Sequence, residues 1–482
     1  MGDRIEKKTG EQRMTGETRM TRRDFIGLAC SGGLAGGLAA RSGGGLASGR
    51  AEGLAGGLGG EAGSRRKKRQ TKKAARPAPP PPGPISGDSL YRDLITYYNL
   101  GEHRTASTGD QKTSDWLNSE LKKAGMRTAF QTFGLRQFFP SKSALVLDGN
   151  PVACFPLWPP TPTGASPIVA PLVDYHPSER LSGAVALIRF PFDGRAAILK
   201  GSAQSELILD AARLGARAVI AITEGPSGEI IALNVLEDTR PWPVPVLLAP
   251  PRSEPLLRAA ATRRATVSVL IDGREDLQAT ARNVIGRLGR GNKSIVVSTP
   301  QSGWFRCAGE RGPGIALWLG LARWVRKNPS NFSYVFVSTS GHELGGLGIR
   351  AFLDSEAPRP GSVAAWVHLG AGIATWKWQQ TDKGMVRTRE VDANRLLMCS
   401  PGLVPVLAPI FADLAGLKPG SSQAVGEYRD ITKAGYRTMA IAAAHMFHHT
   451  PADSPEVTSP ELLEPVATAL VNTLGALEDQ SR

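Results

Sequence analysis

The sequence predicts an α/β protein: a doubly wound mixed sheet with a second, smaller β-rich domain inserted into it. Three observations carry that expectation. Residues 278–482 alternate short apolar runs (SIVVST, YVFVST, VAAWVHLG) with stretches of helical periodicity. Residues 141–277 have another texture, with AVALIRF, ARAVIAIT and PVPVLLAP as β-rich runs around one helix, AQSELILDAARLGA. Polar residues gather where the strands of the alternating part should end, and in open α/β sheets ligands bind beyond the carboxyl ends of strands. Thr299 and Gln301 follow SIVVS, His342 and Glu343 follow YVFVS, VAAWV runs into His368, and His445, His448 and His449 follow MAIAAA. Five of the seven histidines lie at these exits, and that locates a site before any function is assigned.

The elements follow in order. TRRDFIGLA places Arg22 and Arg23 before the mild apolar stretch Gly27–Ala40, which resembles a twin-arginine export signal. That stretch is too short and too rich in glycine to span a bilayer stably. Residues 1–40 are therefore expected to be an export region, with the protein in the periplasm or outside the cell. Residues 41–84 read as a linker: a Gly/Ala/Ser segment, the basic run RRKKRQTKKAAR, then PAPPPPGP. Residues 85–140 begin the folded part with two helices, YRDLITYYNL and KTSDWLNSELKKAGM, the second with Thr113 or Ser114 as its cap. The inserted domain spans 141–277, and 278–482 form the main α/β domain. There PGIALWLGLARWVRKN presents Ile315, Trp318, Leu319, Ala322 and Val325 on one face, and PELLEPVATALVNTLGAL closes the chain.

Charge excludes one class of function. The net charge is +15, but residues 1–76 hold 17 Lys and Arg against 7 acids, so only +5 remains for everything after them. The basic excess belongs to the leader and linker, and a nucleic-acid partner is not expected. Cys154, Cys307 and Cys399 remain beyond the leader, enough for one pair and a single thiol. Trp304, Phe305, Trp376 and Trp378 flank the site in sequence, as pocket lining or as core.

Four stretches give the last part a family likeness: ARNVIGRLG, GIALWLGLARWV, SGHELGGLGIRAFL and FHHTPADSPEVTSPELLEPVA. Their order resembles the zinc exopeptidases of family M-twenty-eight over about residues 88–482. The order SGAVALIRF, AARLGARAVIAI, PVPVLLAP, ATVSVLIDG in 141–277 resembles a protease-associated domain. The first resemblance implies an α/β peptidase fold, a peptide or small amide as substrate, and two zinc ions held by His, a bridging Asp, Glu, a second Asp and a final His. In this sequence those positions fall on Thr299, Glu310, Glu343, Gly370 and His449, and the position of the usual general base falls on His342. Glycine has no side chain and threonine is a poor zinc ligand, so the two-zinc pattern is not kept.

One zinc ion is the expectation that survives. Its ligands are drawn from Glu310, Glu343, His368 and His449, with His342 as general base, because three ligands and one open position suffice for a catalytic zinc. Two functions stay open: a non-standard zinc-dependent exopeptidase or amide hydrolase, and a catalytically dead pseudo-peptidase that binds peptides or related ligands.

Overall fold

The computed structural model describes residues 83–191, 196–235, 241–421 and 423–480. The export region, the linker before residue 83 and Cys30 lie outside the described residues. No helix among the described residues is long and apolar enough to cross a membrane.

Eleven strands are used below: β1 (Arg127–Leu147), β2 (Ile168–Asp174), β3 (Val185–Arg189), β4 (Ala218–Ile222), β5 (Val246–Ala249), β6 (Thr266–Leu288), β7 (Ser294–Pro300), β8 (Ser333–Thr339), β9 (Val363–Leu369), β10 (Arg395–Cys399) and β11 (Thr438–Ala443). Ten of them lie in the order β10-β11-β9-β7-β8-β6-β2-β3-β4-β5, and β1 pairs with β6 off this path. The strands β8, β7, β9 and β11 run parallel, while β6 and β10 are antiparallel to their neighbours. The sheet is therefore mixed and α/β, as the alternation of elements requires.

Both faces of the parallel part are covered, and the two-residue period of the strands says how. Ile295, Val297, Tyr334, Phe336, Ala365, Val367 and Leu369 join one core with the helices Gly87–Asn99, Gly312–Lys327 and Pro460–Asp479. Their neighbours Val296, Val335, Val337 and Trp366 point the other way, toward Ile349, Phe352 and Ile431 of the helices Leu347–Ser355 and Gly426–Lys433. The helix Gly312–Lys327 is buried nearly all round, which explains its apolar sequence. Ser107, not Thr113 or Ser114, caps the helix Thr108–Lys123 by accepting from the Asp110 amide. The helix therefore starts five residues before Thr113, inside a stretch whose Gly and Ser residues read as loop.

The expected domain boundaries at 141 and 277 fall inside single strands. β1 and β6 form one long antiparallel ribbon, with register shifts near Leu135 and Pro140. One end of β6 pairs with β8 and the other with β2. Beyond that ribbon β2, β3, β4 and β5 make a second parallel array. It too is covered on both faces. Leu172, Leu187, Ile220 and Leu247 join the main core, while Val173, Ala186, Val219 and Leu248 make a separate cluster with Ile208 of the helix Ala203–Arg213. A further helix, Glu254–Thr262, packs Leu257 and Ala260 on the first side. The region is thus more helical than a β-rich reading implies.

Candidate active site

The carboxyl ends of β7, β8, β9 and β11 open on one cavity of about 500 Å³. His342, His368, His445, His448, His449 and Arg311 all line it, and Leu396, Met398, Val425 and Ala442 give it an apolar flank. Its far wall comes from the second array, through Ala196, Ala197, Ile231 and Asn234. A larger hollow of about 720 Å³, between residues 100–112 and 274–280, contains none of these groups.

Glu310 and His449 stand together, with His449 Nε2 3.3 Å from Glu310 Oε1. The third group near them is His448, and ligand atoms of Glu310, His448 and His449 all lie within 4.8 Å of one another. Among the described residues this is the single His, Cys, Asp and Glu cluster compact enough to hold an ion. Three of its buried atoms make no hydrogen bond, namely both Glu310 oxygens and His448 Nδ1, and Glu310 Oε1 is in charge contact only. Arg311 Nη2 is 3.0 Å from Glu310 Oε1, a charge contact without hydrogen-bond geometry. Burial opposes ionisation of Glu310, but the charges of His449 and Arg311 outweigh it and hold the carboxyl well below the usual range. Burial, then the neighbouring His449, keeps the His448 ring neutral, with a pKa well below the usual value.

The local sequence explains this placement. Asp453 accepts the amides of Gly309 and Glu310 at 2.7 and 2.9 Å, clamping the loop that carries the carboxylate. A side chain at 309 would collide with Val457, so this clamp requires the glycine. His445 faces Asp453 at 3.5 Å; burial works against its protonation, but Asp453 outweighs burial and raises its pKa. His449 has a φ of 59°, a left-handed conformation uncommon for a residue with a side chain. It is held there by the second array: Ala232 donates its amide to the His449 carbonyl, and His449 Nδ1 lies 2.9 Å from the Ala232 carbonyl oxygen. A carbonyl can only accept, so Nδ1 carries a proton and Nε2 is the nitrogen that faces Glu310.

The other expected ligands are not brought into this cluster. Glu343 has both oxygens engaged, one by Ser302 Oγ at 2.7 Å and one by Arg311 Nη2 at 2.9 Å. His368 Nδ1 is 2.8 Å from Ser298 Oγ, which also accepts from Trp366 Nε1. His368 does not belong to the compact cluster. Of the expected set of Glu310, Glu343, His368 and His449, the compact cluster brings together Glu310 and His449, joined by His448, while Ser302 and Arg311 take the oxygens of Glu343.

His342, the expected base, sits on the cavity with Nδ1 3.2 Å from Glu427 Oε1. Thr339 Oγ1 donates to the same carboxylate. Burial, reinforced by Arg311, lowers the His342 pKa to about 4, so the ring is neutral at pH 7. Burial raises the Glu427 pKa. Sequence reasoning missed Glu427, Arg311 and the backbone of Ala232; of these only GEYRD, an acidic first turn of a helix, was a visible signal. The lost positions are equally clear. Thr299 Oγ1 donates to the Leu369 carbonyl at 2.8 Å, and a Cβ on Gly370 would lie 3.0 Å from Ala442 and the Ile441 carbonyl. Trp304 and Phe305 pack with Phe155 and Trp158 in the core and do not line the cavity. Trp378 stacks edge-on against Phe447. Cys154, Cys307 and Cys399 are unpaired thiols. Burial raises the Cys307 pKa well above the usual value, and its sulfur is not part of the ion cluster.

Comparison with known structures agrees with this architecture. A zinc aminopeptidase from Bacillus subtilis superposes with a TM-score of 0.63 at 17% identity, covering 81% of this chain and 94% of that one. A peptidase M28 precursor from Shewanella amazonensis gives a TM-score of 0.65 at 16% identity, over 81% of this chain and 92% of that one. The chain has the zinc-exopeptidase fold. An aminopeptidase from Aneurinibacillus sp. strain AM-1 is similar at a TM-score of 0.56 and 17% identity, over 81% and 93% of the two chains. No family model matches the sequence, and no curated protein matches it.

Proposed function

We propose that this protein is a one-metal variant on the zinc-exopeptidase fold that hydrolyses a peptide or small amide. The observation that carries the reading is the set of buried atoms without a hydrogen bond, Glu310 Oε1 and Oε2 and His448 Nδ1, gathered with His449. Buried polar groups left unpaired are costly, so a native cluster of them asks for a ligand. Two histidines and a carboxylate suit zinc and leave a position open. A zinc ion held there supplies Lewis-acid polarisation of a carbonyl and a water of lowered pKa. His342 is neutral and steadied by Glu427 through Nδ1, so its other ring nitrogen is free to accept a proton on the cavity side. The apolar flank of Leu396, Met398 and Val425 is suited to an uncharged side chain of the ligand. The sequence of residues 1–40 supports twin-arginine export, and residues 148–265 are read as the inserted module that walls the site.

Zinc-loaded protein, dialysed, should retain about one equivalent per chain. His448→Ala and Glu310→Gln should each lower zinc affinity by more than about 10-fold and remove amidase activity on small chromogenic amides. His342→Gln should keep the zinc and lose the activity. A second reading is favoured by Arg311, whose guanidinium already balances the two carboxylates Glu310 and Glu343. It makes the protein a metal-free pseudo-peptidase that binds peptides in the same cavity. Absence of any retained zinc, with peptide binding intact, would establish that reading and reject the first.

A further inference from the structure

We infer that Arg311 is a built-in second cation, so that this site accepts at most one metal ion. Two buried carboxylates, Glu310 and Glu343, flank the same guanidinium nitrogen, at 3.0 and 2.9 Å. All three side chains are almost completely buried, at 1%, 2% and 1% exposure for Glu310, Glu343 and Arg311. Two such carboxylates cannot both stay ionised without a cation between them. Arginine supplies one that no ordinary pH removes.

Its position is fixed on every side. Nε donates to the Ser302 carbonyl at 2.8 Å, and Ser302 Oγ donates to the second Glu343 oxygen at 2.7 Å. The same hydroxyl accepts the Gly341 amide at 3.0 Å, so Ser302 ties the guanidinium and the Glu343 turn into one unit. Thr299 Oγ1 is committed to a backbone carbonyl and Gly370 has no side chain, so Glu310 and Glu343 are the anionic donors left there. An ion entering beside Glu343 would meet the guanidinium at contact distance.

The inference differs from the ion proposed at Glu310, His448 and His449, though both use Glu310. It concerns how many ions fit and is read from a difference between variants. Full-length protein is stripped with chelator and titrated with zinc, with bound metal counted by mass spectrometry and thermal unfolding followed in parallel. Wild type should saturate at no more than one equivalent. Arg311→Ala should take up one equivalent more than wild type and gain a larger zinc-dependent rise in melting temperature. The double variant Arg311→Ala with Glu343→Gln should lose that extra equivalent, and Arg311→Lys should keep the wild-type count. A second equivalent in the wild type at saturating zinc overturns the inference, and it needs no variant to fold. So does a folded Arg311→Ala that binds no more zinc than wild type. If wild type binds none, the one-metal reading fails while the comparison with Arg311→Ala still decides this one.

Discussion

The two parallel arrays of this chain are built alike and used differently. Both are covered on two faces by apolar residues alternating along the strands. At the carboxyl ends of β7, β8, β9 and β11 the exits carry buried, partly unpartnered side chains around a cavity. At the ends of β2 and β3 the exits carry exposed ion pairs instead, such as Asp174–Arg258 and Arg189–Glu254. Pairs of that kind contribute about 0–1 kcal/mol each. Architecture therefore offers a crevice in both arrays, and only burial of polar groups turns one of them into a site. What the second array gives the site is backbone: the carbonyl and amide of Ala232 on His449, and Asn234 Oδ1 accepting from Trp304 Nε1 at 2.9 Å.

The strongest way to break the contrast is to separate the arrays. Leu145, Leu147, Val267 and Val269 on the β1–β6 ribbon belong to the same core as the main sheet. Joining Leu147 directly to Thr266 through a short turn should expose that apolar surface and leave no native, soluble product. Intact protein should unfold in one cooperative calorimetric transition, with calorimetric and van't Hoff enthalpies equal. Two resolved transitions, or a folded deletion variant, would make the second array an independent passenger.

How far the sequence could lead follows the same division. Period-two runs and the helix of Gly312–Lys327 made the fold legible, because each reports burial directly. His342 and His449 were legible as polar residues at strand exits, and Glu310 only through the family resemblance. Arg311 was not, since an arginine beside a glutamate reads as a solvated surface pair until three-dimensional packing buries both. The surroundings of Glu343 were hidden for the same reason, as its neutralising partner lies 32 residues away. His448 adjoins His449, and sequence alone cannot say which of two neighbouring rings turns inward.

A smaller effect should appear with pH, and it belongs to the main sheet. His103 is fully buried and its pKa falls to about 3, chiefly through desolvation; His368 falls to about 4 for the same reason. Between pH about 6.5 and about 4 the unfolded chain binds protons at both rings that the folded chain refuses. The unfolded state gains protons as pH falls, so stability is lost across that window. Asp110 works the other way: burial raises its pKa to about 6, so the folded state protonates it first and gains stability between about pH 6 and 4. One carboxyl offsets about one histidine, which leaves a net loss on the order of a few kcal/mol. Urea midpoints at pH 7.0 and 4.5 measure it, and a flat or rising profile would contradict the buried neutral rings.

The smallest effect tests whether the second array positions the site at all. Asn234 is buried at the cavity wall and its carbonyl oxygen accepts the indole N–H of Trp304, itself enclosed by Phe155 and Trp158. Asn234→Ala removes the acceptor and leaves a buried donor unpaired, a cost of about 1–2 kcal/mol. If the role were only structural, the loss would end there. The same short segment carries Ala232, whose carbonyl fixes the His449 ring, so loosening it should also lower zinc affinity, by about 10-fold or less. Denaturant titration gives the first quantity and competition with a zinc chelator the second. A drop in stability with unchanged zinc affinity would reduce the second array to a wall, and a parallel drop in both would make it the part that aims His449.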